Sequence, residues 1–265
     1  ANTSTGLAAH TDYYKAILNG LYESIERDSF VLTWMQNLVP NKIIISKEIQ
    51  DYIDRHFPAK YEWHFFDISY DIEVPSVLGF CFGEAEYGKF IAVGSSTRAT
   101  YGDAIKKVIQ EIGQAVPYFR YLLGEKKNWK PSDDYTLIQN FDDHSIFYVK
   151  RQDLWHVFDK LTNAKETKAI DFNETIVRTD KEEVKHIVKI LKDKSYNVLF
   201  KDITTYDIRQ IGFFSVKVFI PQLIQLAGSY PFYFLGGERL YSVPEKMGYK
   251  SNDFHHLNKL PHPFP

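Results

Sequence analysis

The 265-residue sequence contains a single cysteine, Cys81, so no intramolecular disulfide can form and no Cys/His cluster offers a structural zinc site of the usual spacing. It also lacks an excess of either charge. With 32 Lys and Arg against 34 Asp and Glu the formal net charge is −2, which removes the electrostatic case for binding nucleic acid or an anionic membrane. No basic segment leads into an apolar one near the start, so no secretory signal is read, and a cytoplasmic location is the expectation. The common nucleotide and hydrolase motifs are missing as well: there is no GxxxxGK[ST], no GxGxxG opening a helix after a strand, no HExxH and no GxSxG. Gly236-Gly237 reads as a turn, and the adjacent His255 and His256 point in different directions in most backbones, which makes them poor joint metal ligands.

The one long apolar stretch, from Ile211 to Leu235, carries Lys217 as its sole charge. It does not read as a membrane span. Lys217 would sit in hydrocarbon, Pro221 and Pro231 interrupt any helix, and Phe213 to Ile220 is β-branched and aromatic, as a buried strand is.

What is present is an ordered globular composition, 44% hydrophobic and 16% aromatic, in a chain long enough for one large domain or two small ones. Apolar spacing predicts helices over Asp12 to Leu38, Ser46 to Phe57 and Asp103 to Leu123, the last with a kink at Pro117. Two more, Ser145 to Leu161 and Lys181 to Ser195, read as surface helices. Strands are expected over Tyr61 to Ile68, Ser76 to Phe82, Phe90 to Gly94, Asn197 to Ile203 and Phe213 to Ile220, with Asn128 to Asp143 as a loop. The fold class is therefore mixed α/β (α+β), without repeats, read as a single compact unit ending in a proline-rich tail over 260–265.

Two helices carry the chemistry. On the first, Glu23, Glu26 and Arg27 stand at i, i+3 and i+4, away from the stripe of Ile17, Leu21 and Ile25. On the third, Lys107, Glu111 and Gln114 repeat the arrangement, away from Ile105, Val108, Ile109 and Ile112. Two readings stay open. Each face is either a solvated one with an intrahelical ion pair worth about 0.3 to 0.5 kcal/mol, or half of a site in which carboxylates hold Mg²⁺ and the cations meet phosphate oxygens. Spacing does not choose between them.

The chain ends Leu260-Pro261-His262-Pro263-Phe264-Pro265, with a proline at every second position. Proline fixes φ and removes backbone donors, so this end is expected to be a stiff, extended strut. It is a disordered tail, a ligand for a proline-binding module, or a device that delivers a terminal carboxylate into a cavity at low entropic cost, where that group can act as a base.

The run Ser4-Thr5-Gly6-Leu7-Ala8-Ala9-His10 followed by Glu23-Ser24-Ile25-Glu26-Arg27-Asp28 resembles an ATP-site segment of YcaO-domain proteins, and Ala104 to Gln114 is similar to that family's next helix. Asp202 to Asp207 with Gly212, Val216 to Pro221, Gly236 to Tyr241 and the alternating-proline end resemble the azoline-forming branch, the cyclodehydratases of thiazole/oxazole-modified peptides, including the streptolysin-type members of bacteriocin biosynthesis. The resemblance covers nearly the whole chain, and it identifies the chain as the C-terminal portion of such a protein.

The resemblance implies an enzyme that uses ATP and Mg²⁺ to convert Cys, Ser or Thr of a ribosomally made precursor peptide into a thiazoline or oxazoline. The side chain attacks the preceding amide carbonyl, and the oxyanion takes the γ-phosphoryl group and leaves as phosphate. Carried over by position, Glu23, Glu26 and Glu111 would hold Mg²⁺, Arg27 and Lys107 would meet phosphate, and Ser4 and Gln114 would touch the nucleotide. Pro261, Pro263 and Pro265 would place the terminal carboxylate near the reacting amide. Val116 stands where many relatives have a basic residue, so the phosphate side is expected to differ there. Implied partners are the precursor peptide, an E1-like or leader-binding protein, an FMN-dependent dehydrogenase and a second copy in a homodimer. An upstream segment is expected to complete the ATP site. The alternative is a docking or scaffold subunit without catalysis, and thioamide or amidine chemistry is a third reading that the proline-rich end disfavours.

Overall fold

The structure is a computed structural model that describes residues 4–264. In chain order the elements are β1 (Leu7–His10), α1 (Tyr13–Met35), β2 (Asn41–Ile43), α2 (Lys47–Asp54), β3 (Glu62–Asp67), β4 (Ser76–Ala85), β5 (Gly88–Thr97) and α3 (Tyr101–Glu125). There follow α4 (Phe141–Lys150), a 3₁₀ segment (Gln152–Phe158), α5 (Asp159–Thr162), β6 (Glu166–Lys168), α6 (Asp180–Asp193), β7 (Leu199–Asp202), α7 (Tyr206–Gln210), β8 (Phe214–Phe219) and α8 (Glu238–Lys246). The mixed α/β reading holds, and no helix among the described residues is long and apolar enough to cross a membrane.

One sheet runs in the order β5-β4-β3-β2-β6, antiparallel except for the parallel β2/β6 pair, and a smaller one runs β1-β8-β7. The strands β3, β4 and β5 alternate strictly. Phe65, Val77, Cys81 and Ala92 enter a core with Ile105, Val108 and Ile112 of α3, while Phe66, Leu78, Phe80 and Val93 enter another with Phe30, Trp34 and Phe264. Period-2 alternation with both faces apolar is what a sheet covered on both sides requires. The first half of α1 forms a third core with β8 and α6, through Ile17, Leu21, Val216, Val218 and Ile187.

The helices start where their caps are: Asp12 Oδ1 accepts from Lys15 N at 2.8 Å and Thr100 Oγ1 from Asp103 N at 3.1 Å. Helix α3 continues through Pro117 to Glu125. The stretch Ser145 to Leu161 departs from the sequence reading. It is no continuous surface helix: α4 begins inside the expected loop, at Phe141, with His144 to Val149 buried, and a 3₁₀ segment follows. Burial on every side leaves such a helix without a polar face. The short strands β1, β2 and β6 were also absent from the sequence reading, because three or four residues carry no measurable period.

Candidate functional site

Helices α1 and α3 cover opposite faces of the larger sheet, and β5, which among the described residues pairs with β4 alone, is its edge. Around that edge the polar faces of the two helices come together. A cavity of about 610 Å³ is lined by Glu23, Glu26 and Arg27 of α1, Arg98 after β5, Glu111 and Gln114 of α3, and Pro263 and Phe264 of the tail.

Glu23 is tied on both oxygens: Oε1 pairs with Arg27 Nη2 at 2.8 Å, and Oε2 accepts from Gly6 N at 2.7 Å. Gly6 has φ +81, the left-handed region, and a Cβ there would collide with the Val218 carbonyl oxygen, so this turn needs glycine. Arg27 Nη1 in turn donates to Ser4 Oγ and Thr5 Oγ1, both at 3.0 Å. Burial raises the Glu23 carboxyl above its ordinary range, against the pull of Arg27 and the Gly6 amide.

Glu26 accepts from the Thr97 amide at 3.3 Å on the edge strand. Burial pushes its carboxyl well above the usual range and the charge of Glu111 pushes the same way, while Arg98 and Arg27 oppose them. Glu111 is raised by burial too, opposed first by Lys107, whose Nζ lies 3.3 Å away. Arg98 Nη1 donates to the Thr97 carbonyl at 2.6 Å, and its guanidinium lies over the Tyr22 ring, 5.6 Å from the centroid.

The structure thus brings Glu23, Glu26, Arg27, Glu111, Gln114 and Pro263 to one cavity. Ser4 is hydrogen-bonded to Arg27, Lys107 is engaged with Glu111, Pro261 is buried but does not line the cavity, and Pro265 lies outside the described residues. Among the described residues no three acidic or histidine side chains stand together as a metal-ligand cluster, so the three glutamates are not a closed cage. Two like-charged carboxylates that burial disfavours, beside free volume, nonetheless suit a hard divalent cation, and Mg²⁺ commonly takes only one or two carboxylates with phosphate oxygens and water completing its shell. His255 and His256 are both exposed, and His256 Nδ1 is spent on Asp253 at 2.7 Å. Arg98 escaped the sequence reading. Its signal was a basic residue alone in the Ser95-Ser96-Thr97-Arg98-Ala99-Thr100 connection between a strand and a helix cap.

Over its described residues the tail is packed against the protein. Pro261 to Phe264 are buried, and the Phe264 ring packs on Phe30 with centroids 4.8 Å apart.

The fold has counterparts among solved structures. Over 99% of its length the chain is similar in fold to a heterocyclase solved with substrate and cofactor, at a TM-score of 0.73 and 21% identity, covering 33% of that chain. The heterocyclase TruD matches at 0.64 and 21% identity, with 99% of this chain covering 34% of TruD. YcaO from Methanopyrus kandleri bound with AMPPCP and Mg²⁺ matches at 0.59 and 14% identity, over 84% of this chain and 56% of that one. The chain therefore spans about a third of the length of the heterocyclases it matches. A search of curated protein sequences finds no match. The family model described as "YcaO cyclodehydratase, ATP-ad Mg2+-binding" matches residues 1–224, which include both carboxylate-bearing helices. With the family model spanning most of its length and its two acidic helices meeting at one cavity, the chain belongs to the YcaO family.

Proposed function

We propose that this chain carries part of the ATP site, and the tail, of a cytoplasmic cyclodehydratase that turns Cys, Ser or Thr of a ribosomally made precursor peptide into a thiazoline or oxazoline. The observation that supports the reading best is the meeting of Glu26, Glu111, Arg27, Arg98 and the chain's proline-rich end at one cavity. A solvated helix face would leave those glutamates apart and in water.

The substrate hydroxyl or thiol adds to the preceding amide carbonyl carbon and gives up its proton. The carbonyl oxygen becomes an oxyanion and attacks the γ-phosphorus of ATP, whose bond to ADP breaks. The ring nitrogen loses its proton as the carbon–oxygen bond cleaves, and inorganic phosphate departs in place of water. Such a transfer depends on positioning and charge neutralisation more than on covalent help. Arg27 and Arg98 supply fixed positive charge, and Gln114 an amide for the nucleotide. Glu26 and Glu111 would hold Mg²⁺, which when bound offsets phosphate charge, and Glu23 sets the guanidinium of Arg27. The chain-terminal carboxylate is the proposed base. The precursor peptide, a leader-binding or E1-like protein and an FMN-dependent dehydrogenase are the proposed partners; the structural relatives include a microcin synthetase complex, McbBCD of E. coli, with pro-MccB17 bound.

The test is calorimetry of the full-length protein with ATP and Mg²⁺, together with mass spectrometry of the precursor peptide for loss of water. Glu26→Gln is expected to weaken Mg²⁺-dependent ATP binding about tenfold or more, the loss of one charged ligand contact. Because the glutamates form no closed cage, a scaffold subunit is the second reading. Intact peptide processing by both Glu23→Ala and Glu26→Ala would establish it.

A further inference from the structure

A proline-rich segment cannot hold itself in place by backbone donors, since Pro261 and Pro263 have none. Its carbonyls remain, and three in succession are taken by side chains. Trp34 Nε1 donates to the Leu260 carbonyl at 3.0 Å, Tyr148 OH to that of Pro261 at 2.8 Å, and His144 Nδ1 to that of His262 at 2.9 Å. A carbonyl only accepts, so His144 carries its proton on Nδ1. His262 Nε2 donates to the Ala227 carbonyl at 2.9 Å, and the rings of His144 and His262 stack in parallel with centroids 3.7 Å apart. Both histidines are fully buried.

The donors come from two rigid elements. Trp34 is on α1, the helix that bears Glu23, Glu26 and Arg27, while His144 and Tyr148 stand at i and i+4 on one face of α4. Directly after the last gripped carbonyl, Pro263 and Phe264 line the cavity.

We infer that Trp34, Tyr148 and His144 are positioning residues that read the Leu260, Pro261 and His262 carbonyls in order and thereby fix the register in which the chain end enters the cavity. Register matters because a slip of one residue along an extended proline-rich chain moves its end by about 3 Å. A displacement of about 1 Å of a reacting group can cost about 100-fold in rate. The clamp rests on the cyclodehydratase reading of the cavity for its purpose, though not for its geometry.

The test uses the full-length protein with its precursor peptide and partner proteins, measuring azoline formation per ATP-binding site counted by calorimetry. Tyr148→Phe removes one donor and nothing else, and His144→Leu does so at the neighbouring carbonyl. Each is expected to lower kcat about tenfold, as for one lost hydrogen bond, with KM for ATP and peptide within about twofold. His144→Asn, which can place an amide N–H near the Nδ1 position, is expected to restore most of the rate. An alanine inserted after Lys259, ahead of the clamp, is absorbed, whereas one inserted after His262 abolishes turnover. Unchanged kcat per site, no rescue by asparagine, or equal effects of the two insertions would overturn the clamp. If wild-type protein forms no azoline, the cavity reading is what fails. Hydrogen exchange at the His262 and Phe264 amides then decides the clamp: acceleration in Tyr148→Phe supports it, and no change overturns it.

Discussion

Replacing Arg239 by methionine removes the cation from a buried cluster whose geometry allows the effect to be sized. The guanidinium donates from Nε to both oxygens of Asp28, at 2.8 and 2.9 Å, and from Nη2 to Asp28 Oδ2 at 2.6 Å. Its other side meets both oxygens of Asp71 at 2.7 Å, and Tyr196 OH at 2.7 Å. Asp28 is 0% exposed, on α1 directly after Arg27, and its Oδ1 also accepts from Ile224 N at 2.8 Å. Burial pushes the Asp71 carboxyl up, but the hydrogen bonds and charge of Arg239 outweigh it and hold the group below the ordinary carboxylate range. Removing one partner of a buried ion pair costs about 3 to 5 kcal/mol, because the remaining charge has neither water nor a counter-ion. In a protein of this size each kcal/mol lowers Tm by about 2 to 4 °C, so Arg239→Met should lower it by roughly 6 to 20 °C in differential scanning calorimetry. Asp28→Asn in the same chain removes the stranded charge while keeping an acceptor for Ile224 N. The double variant should therefore recover about 2 kcal/mol or more of that loss. A drop under about 2 °C for the single variant, or simple additivity of the two substitutions, would refute the reasoning.

The stacked histidines predict acid sensitivity. Burial lowers His262 to about 4, with Arg27 adding a smaller push the same way, and burial and then the charge of His262 lower His144 to about 2. Unfolded histidine titrates near 6.5, so below that the unfolded chain binds more protons than the folded one, and stability is complete above about pH 6.5 and lost on acidification toward 4. The loss is about 1.4 kcal/mol per pH unit for each ring, and urea midpoints between pH 7 and 4.5 should show a slope that His262→Phe roughly halves. Glu26→Gln should stabilise the ligand-free protein by about 1 kcal/mol while weakening Mg²⁺-dependent ATP binding, since its charge is disfavoured by burial until a cation arrives; a fall in Tm would contradict this. Gly6→Ala, with φ +81 and its Cβ against the Val218 carbonyl, should cost about 2 kcal/mol or more and loosen Glu23, seen as a lower Tm and weaker ATP binding.

The long elements were legible in the sequence because each keeps one period over many residues: α1, α3 and α6 in threes and fours, β4 and β5 in twos. The start of α4 was missed because the polar run ending at Asp143 reads as a loop, whereas Asp143 is spent on the Gln139 and Asn140 amides with Lys126, His144 on a tail carbonyl, and Ser145 Oγ on the Phe141 carbonyl. The cap of Asp143 and the Ser145 bond are local to the helix, but the His262 carbonyl near the end of the chain and Lys126 after α3 are distant in sequence, and no local pattern reveals them. The site divides in the same way. Glu23, Glu26 and Glu111 could be named from helical spacing and the family resemblance, but whether α1 and α3 point their acids at each other depends on which faces of the sheet they cover. Arg98 and Phe264, one in a short connection and one in the tail, have no periodicity to mark them.

That convergence follows from the place of β5 in the sheet. An edge strand presents unpaired N–H and C=O groups, which invite pairing with another strand unless something blocks them. Here helices from the two faces lean past the edge, the Thr97 amide is spent on Glu26, the Thr97 carbonyl on Arg98, and α4 packs against the same strand. Charged side chains at an edge are a known defence against strand addition. The groups that make the cavity polar are thus the ones that close the sheet, and their burial at that edge is what raises Glu26 and Glu111 toward protonation. A divalent cation held between them, as proposed, would lower the energy of both ionised carboxylates at once, so that binding it and relieving two buried negative charges would be one event. The same edge that had to be covered against strand addition carries, by that covering, the two carboxylates that the proposed function assigns to Mg²⁺.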